Sequence, residues 1–105
     1  MTRLDRQSFL GPHSDNVLAH LTVGLVGLGG GGSHVAQQLA HMGVGKFVLV
    51  DPDIVEHTNL SRLVGGTADD AEQKRLKVDV AARTIRGVNP NVEPTRQSSD
   101  WQEAL

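Results

Sequence analysis

The chain has 105 residues, of which 38% are hydrophobic and 21% charged, with a formal net charge of −2; this suits one domain with a modest core. The charge balance offers no general attraction to nucleic acid or an anionic membrane. The absence of cysteine excludes disulfides, thiolate zinc sites and a cysteine nucleophile, and an aromatic content of 3% leaves little platform for stacking bases.

No apolar run reaches the length of a membrane span and the N-terminus shows no signal-peptide pattern, so a soluble, cytoplasmic protein is expected. Residues 1–20 are mixed and polar, with Leu4, Phe9, Leu10, Val17 and Leu18 as apolar points. Gly11-Pro12 interrupts any helix there. The segment reads as a helical arm in two pieces, one before Gly11 and one from Ser14 to Leu21; a mobile surface arm would fit equally well. Residues 21–105 read as the domain proper.

Leu21 to Gly27 is an apolar run and predicts a buried strand. Glycines follow at Gly27, Gly29, Gly30, Gly31 and Gly32, and a helical pattern begins at Ser33. Gly27, Gly29 and Gly32 satisfy G-x-G-x-x-G. Glycine permits a tight turn, and a missing Cβ lets a phosphate approach the backbone. The N–H groups at the helix start then face that anion, aided by the helix dipole. Ser33 would either cap the helix or contact phosphate. By itself the motif is weak, and a flexible glycine loop that binds nothing would match it too.

The helix runs from Ser33 to Met42. Val35, Ala36, Leu39, Ala40 and Met42 repeat at helical spacing and define its sheet-facing side, and Gly43 supplies the C-terminal cap. His34 and His41 share a face, but no acid or cysteine lies at ligand spacing, so solvated histidines are expected rather than a metal site. Lys46 to Val50 is the second strand and ends in Asp51. That acid falls about 20 positions after the glycines, where the dinucleotide fingerprint places a carboxylate for the ribose hydroxyls.

Ile54 to Leu63 reads as a loop or short helical turn carrying Glu56, His57, Asn59 and Arg62. Val64 to Asp70, with Gly65-Gly66, reads as mobile. A second helix is expected over Asp69 to Arg86, with Val78, Ala81, Ala82 and Ile85 on its apolar stripe and acids before bases along its length. Gly87 and Asn89-Pro90 end it. Asn91 to Gln97 is the third strand, weakened by Pro94, and Ser99 with Gln102 resembles a capping box that opens another helix. Strands alternating with helices argue an α/β fold with parallel strands in the order 3-2-1.

Five segments together carry a resemblance. They are Gly27-Leu28-Gly29-Gly30-Gly31-Gly32-Ser33, Val50-Asp51-Pro52-Asp53-Ile54-Val55, Asn59-Leu60-Ser61-Arg62, Lys77-Val78 and Val88-Asn89-Pro90. In this order and near this spacing they resemble the ThiF/MoeB family, the ubiquitin-activating-enzyme-like adenylyltransferases. The resemblance implies a Rossmann-like three-layer fold, of which this chain would be the N-terminal part. It implies ATP and Mg2+ as ligands, and a small ubiquitin-like carrier protein whose C-terminal carboxylate is adenylated with release of pyrophosphate. It places Gly27, Gly29, Gly30 and Gly32 in the nucleotide loop with Ser33, Asp51 at the ribose, and Asp53 among the cofactor-binding residues. Asn59, Arg62 and Lys77 would hold the phosphates, with Arg62 and Lys77 as catalytic charges. Arg6 would reach into the partner protomer's site in a homodimer.

Without the resemblance, Arg62 and Lys77 would read as solvated surface charges. The sequence departs from the family in two places. Leu63 stands where glutamine often follows N-L-x-R, and Lys74-Arg75-Leu76-Lys77 replaces Gly-Lys-Pro-Lys. The family's magnesium-binding aspartate, zinc cysteines and catalytic cysteine have no counterpart here, so the magnesium ligand is expected outside this chain and the chain alone is expected to be inactive. Two rivals stand beside this reading: an NAD-binding Rossmann oxidoreductase fragment, which leaves D-x-D and N-L-x-R unexplained, and a non-catalytic adapter that keeps the fold for protein contacts.

Overall fold

A computed structural model describes residues 14–98. Arg6, the helical piece expected before Gly11 and the Ser99–Gln102 capping box lie outside the described residues. In chain order the elements are helix α1 (Ser14–His20), strand β1 (Thr22–Val26), α2 (Gly30–Met42), β2 (Lys46–Val50), a 3₁₀ turn (His57–Asn59), α3 (Ala68–Glu72), α4 (Lys77–Val88) and β3 (Thr95–Gln97).

The three strands form one parallel sheet in the order β1-β2-β3, as the alternation of elements predicts. The register sets Thr22 beside Lys46 and Val26 beside Val50. The first two strands therefore finish level. The Gly27 N–H continues the ladder to the Val50 carbonyl at 2.8 Å, and the Asp51 N–H reaches the Gln97 carbonyl at 3.0 Å. Both functional loops thus leave the sheet side by side.

Side-chain alternation along the strands decides where the core lies. Phe47 and Leu49 of β2 are buried with Ala36 and Ala40 of α2 and Val78, Ala81, Ala82 and Ile85 of α4, and Val23 and Leu25 of β1 pack against the same cluster. Burying a side chain the size of Leu49 or Ile85 is worth about 1.5–3 kcal/mol, so this face carries most of the stability. Thr22, Gly24 and Val26 alternate onto the other face and are exposed. Of the three layers expected, the described residues supply the sheet and the helical layer on one face. A smaller cluster of Val55, Leu63, Ala71 and Val80 lies under the crossover, with Leu60 against it.

The structure corrects three of the expected boundaries. α2 begins at Gly30, not Ser33, because the glycine run itself forms the first turn, closed by the Ser33 N–H to the Gly29 carbonyl at 3.0 Å. The single helix expected over Asp69 to Arg86 is two helices. Lys74 between them has φ 53°, which no right-handed helix accommodates. Leu76 instead forms an antiparallel bridge with Ile54, flanked by Val55 N–H to the Arg75 carbonyl at 2.7 Å and Lys77 N–H to the Asp53 carbonyl at 3.0 Å. The helix is broken so that this stretch can pair with the chain that leaves β2. β3 begins only at Thr95, after Pro94.

The segment expected to be mobile, Val64 to Asp70, is fastened at several points. Val64 N–H donates to Ser33 Oγ at 3.1 Å, and the Gly65 carbonyl accepts from Arg83 at 2.9 Å. Thr67 and Asp70 cap α3 reciprocally: Asp70 N–H donates to Thr67 Oγ1 and Thr67 N–H to Asp70 Oδ2.

Candidate functional site

The site grows from the turn after β1. Gly27 takes φ +83°, in the left-handed region, and swings the chain out of the strand. A Cβ on Gly32 would stand 2.0 Å from the Gly27 carbonyl oxygen, so the helix start is pressed against the turn as only glycine allows. The N–H groups of Gly30, Gly31 and Gly32 precede the first helical hydrogen bond, and α2 has no acid in its first turn. The result is a concentration of positive potential at the helix start.

Asp51 stands behind this turn. Its side chain is buried, and each carboxylate oxygen accepts one backbone N–H: Leu28 N–H to Oδ2 at 2.6 Å, and Asp53 N–H to Oδ1 at 2.9 Å. One carboxylate thus ties the loop after β1 to the loop after β2. A carboxylate has about four lone-pair directions, so acceptor capacity remains on both oxygens.

Two adjoining clefts open beside the turn. One, of about 260 Å³, is lined by Gly29, Gly30, Asn59, Arg62, Leu63 and Lys77. The other, of about 380 Å³, is lined by Pro52, Asp53, Ile54, Glu56, Asn59 and Lys77. Asn59 and Lys77 belong to both. Asn59 is held by its own turn, its Oδ1 accepting from the Glu56 N–H at 3.2 Å. Lys77 opens α4, where the bridge to Ile54 fixes its backbone. Its Nζ lies 3.8 Å from Asp53 Oδ2, beyond hydrogen-bond distance, although its side chain is only 10% exposed. The Arg62 side chain is exposed, and among the described residues it forms no ion pair.

Of the residues chosen from sequence, Gly29, Gly30, Asp53, Asn59, Arg62 and Lys77 line the clefts. Gly27, Gly32, Ser33 and Asp51 stand behind them and hold the walls. Ser33 is buried, its hydroxyl donating to the Gly30 carbonyl and accepting from the Val64 N–H, both at 3.1 Å. Leu63, which departs from the family pattern, gives the first cleft an apolar wall and is itself buried.

Sequence reasoning missed a charged cluster that joins α3 to α4. Asp70 is fully buried and receives both terminal nitrogens of Arg83, at 2.6 and 2.9 Å, and Arg75 at 3.0 Å. The Arg83 hydrogen bonds, opposed by burial and reinforced by Thr67 and Arg75, hold this carboxyl well below the usual carboxylate range. The available signal was Thr67-x-x-Asp70, a capping pattern. Arg83 therefore spends its charge on Asp70 rather than on the end of its own helix.

A helix N-terminus, an exposed guanidinium without an ion pair among the described residues and an ammonium whose partner Asp53 stands 3.8 Å away converge on one cleft. That combination suits a ligand with several negative charges, such as a nucleoside polyphosphate. Comparison with known proteins points the same way. The sequence profile described as the ThiF family matches residues 3–104. The SAMP-activating enzyme E1 of Haloferax volcanii is 40% identical over 94% of this chain and 39% of its own length. The ubiquitin-like modifier-activating enzyme 5 of Drosophila persimilis is 46% identical over 68% of this chain and 18% of its own. Among solved structures, the tRNA N6-threonylcarbamoyladenosine dehydratase of E. coli, in complex with ATP, superposes with a TM-score of 0.85 at 30% identity, over 91% of this chain and 39% of that one. The chain thus spans about two fifths or less of the length of these relatives.

Proposed function

The chain belongs to the ThiF family, and on that premise we propose that it is the ATP-binding part of an enzyme that adenylates the C-terminal carboxylate of a small ubiquitin-like carrier protein. The observation that carries this is that Gly29, Gly30, Asn59, Arg62 and Lys77 line one cleft together with Leu63. The names of the relatives, which include activating enzymes and an ATP complex, support the same class of chemistry.

In the reaction a carboxylate oxygen of the carrier attacks the α-phosphorus of ATP. An acyl–phosphate mixed anhydride forms, the bond from the α-phosphorus to the bridging oxygen breaks, and pyrophosphate leaves with that electron pair. The nucleophile arrives already ionised, so no general base is required. The protein's work is positioning and charge compensation. The α2 N–H groups receive a phosphate. Arg62 and Lys77 offset the negative charge that gathers on the attacked phosphate and the departing pyrophosphate, and Asn59 adds an amide at their junction. Asp51, with spare lone pairs, and exposed Asp53 take the ribose hydroxyls.

Among the described residues no three His, Asp or Glu side chains converge as metal ligands would. Magnesium would come with the triphosphate, held largely by its oxygens. In the same reading the enzyme is a cytoplasmic homodimer, and Arg6 serves the partner protomer's site. This chain alone binds ATP weakly and forms no adenylate.

The test is an amide NMR titration of the labelled chain with Mg-ATP and, separately, with NAD. Shifts at Gly29 to Ser33, Asp51 and Arg62 with ATP and not with NAD are expected. A response to NAD alone would assign an oxidoreductase, and a folded spectrum that ignores both would favour an adapter. Pyrophosphate exchange catalysed by this chain with a ubiquitin-like carrier would refute its inactivity.

A further inference from the structure

Ser33 and Gly30 sit in the first turn of α2, where the glycine motif leads one to expect contacts with phosphate. For the Ser33 hydroxyl the surroundings say otherwise. Ser33 is 3% exposed, and its hydroxyl is committed to backbone on both sides. It accepts the Val64 N–H at 3.1 Å and donates to the Gly30 carbonyl at 3.1 Å, with the Arg62 carbonyl next nearest at 3.5 Å. Gly30 gives a second, independent observation. A Cβ built there would lie 3.2 Å from the Arg62 Cβ and 3.5 Å from the Arg62 carbonyl oxygen. The bare backbone at position 30 is thus already in use by the Arg62 turn.

We propose that Ser33 and Gly30 are positioning residues that seat the Arg62–Val64 segment on the start of α2, and that this seating makes the site select for polyphosphate over monophosphate nucleotides. The proposal rests on the reading that the cleft binds ATP. The chain of cause is short. Arg62 has a long, exposed side chain without an ion-pair partner among the described residues, so its guanidinium is only as well placed as the backbone beneath it. That backbone is pinned by Leu63, buried in the crossover cluster, and by the Ser33 hydroxyl across about 30 residues of sequence. The N–H groups of Gly30, Gly31 and Gly32 suffice for one phosphate group. The further charges of a triphosphate fall to the guanidinium that Ser33 and Gly30 hold in place.

The experiment measures dissociation constants for ATP and AMP on this chain and on Ser33→Ala, Arg62→Ala and the double variant, with amide dispersion as the check of folding. Ser33→Ala is expected to weaken ATP about tenfold and to leave AMP nearly unchanged. The double variant is expected to bind ATP no more weakly than Arg62→Ala alone, because Ser33 acts through Arg62. Ser33→Cys, which keeps the size of the side chain and weakens both hydrogen bonds, is expected to show the same ATP-selective loss and stands in should Ser33→Ala fail to fold. Parallel loss of ATP and AMP would mean a merely structural role, and additive losses in the double variant would mean that Ser33 touches phosphate itself. Either overturns the proposal. A parent chain that binds neither nucleotide would instead overturn the functional reading on which it stands.

Discussion

Lys77 occupies the first turn of α4, where the helix dipole disfavours a cation; its side chain is 10% exposed and its ammonium pairs with Asp53 at 3.8 Å, a longer approach than a hydrogen bond. A phosphate oxygen at hydrogen-bond distance would compensate that charge more fully. Lys77→Met keeps the buried stem and removes the charge. It is expected to hold or raise the thermal midpoint while abolishing the ATP-induced shifts, and a variant that lost both stability and binding would make Lys77 structural. Asp51 presents the opposite case. Asp51→Ala strands the buried Leu28 N–H and releases the part-buried Asp53 N–H, so it is expected to cost about 1–3 kcal/mol in urea unfolding, with Asp51→Asn losing less. Lys74 adds a third: its φ of 53° places a Cβ in the left-handed region, and Lys74→Gly is expected to stabilise by about 1 kcal/mol in the same measurement.

At the scale of elements, Asp70 joins three segments: it caps α3, anchors the turn after it through Arg75, and ties both to α4 through Arg83. A carboxyl held below its ordinary range contributes stability that is complete above the unfolded-state value, near 3.9 for aspartate, and is lost as pH falls from there through the folded-state value. Asp70→Asn is therefore expected to be less stable than the parent by about 2 kcal/mol at pH 7, with the gap closing below about pH 4. Urea midpoints measured at neutral and acid pH check this; a gap that persisted in acid would show that the carboxylate's charge is not what binds the three segments. How much of this was legible differed by element. Lys46 to Val50 was read with its true bounds because a short apolar run between a glycine and an acid has few other meanings. The glycine turn was legible for the same reason, a local pattern with a local cause, whereas the tie that Asp51 makes to Leu28, 23 positions away, was not. The break at Lys74 was not, since its cause is a pairing of Leu76 with Ile54, more than 20 positions away. Nor was the seating of Arg62 on Gly30 and Ser33, which joins residues about 30 positions apart.

For the whole molecule, the two margins of the sheet are unequal. β3 is short, and Arg96 on it pairs with Asp79 and Glu93, so that margin carries the charges that discourage strand addition. β1 runs Thr-Val-Gly-Leu-Val without a charge or a proline, and among the described residues it pairs only with β2. Val26, 55% exposed, stands at its end, with Val17 at 63% and Leu21 at 44% in the helix and link before it. A strand edge left without a partner among the described residues, with its row of N–H and C=O groups beside exposed valines and a leucine, is a template for another strand. The prediction is that this chain self-associates: its average mass in sedimentation equilibrium is expected to rise with concentration toward that of a dimer. Val26→Lys places an ammonium on that margin without disturbing the core face, since Val23 and Leu25 alone of β1 pack there, and is expected to return the chain to a monomer. A parent chain that stayed monomeric at the concentrations used for NMR would show that the margin is already blunted. Association that survived Val26→Lys would move the contact from β1 to another surface of the molecule.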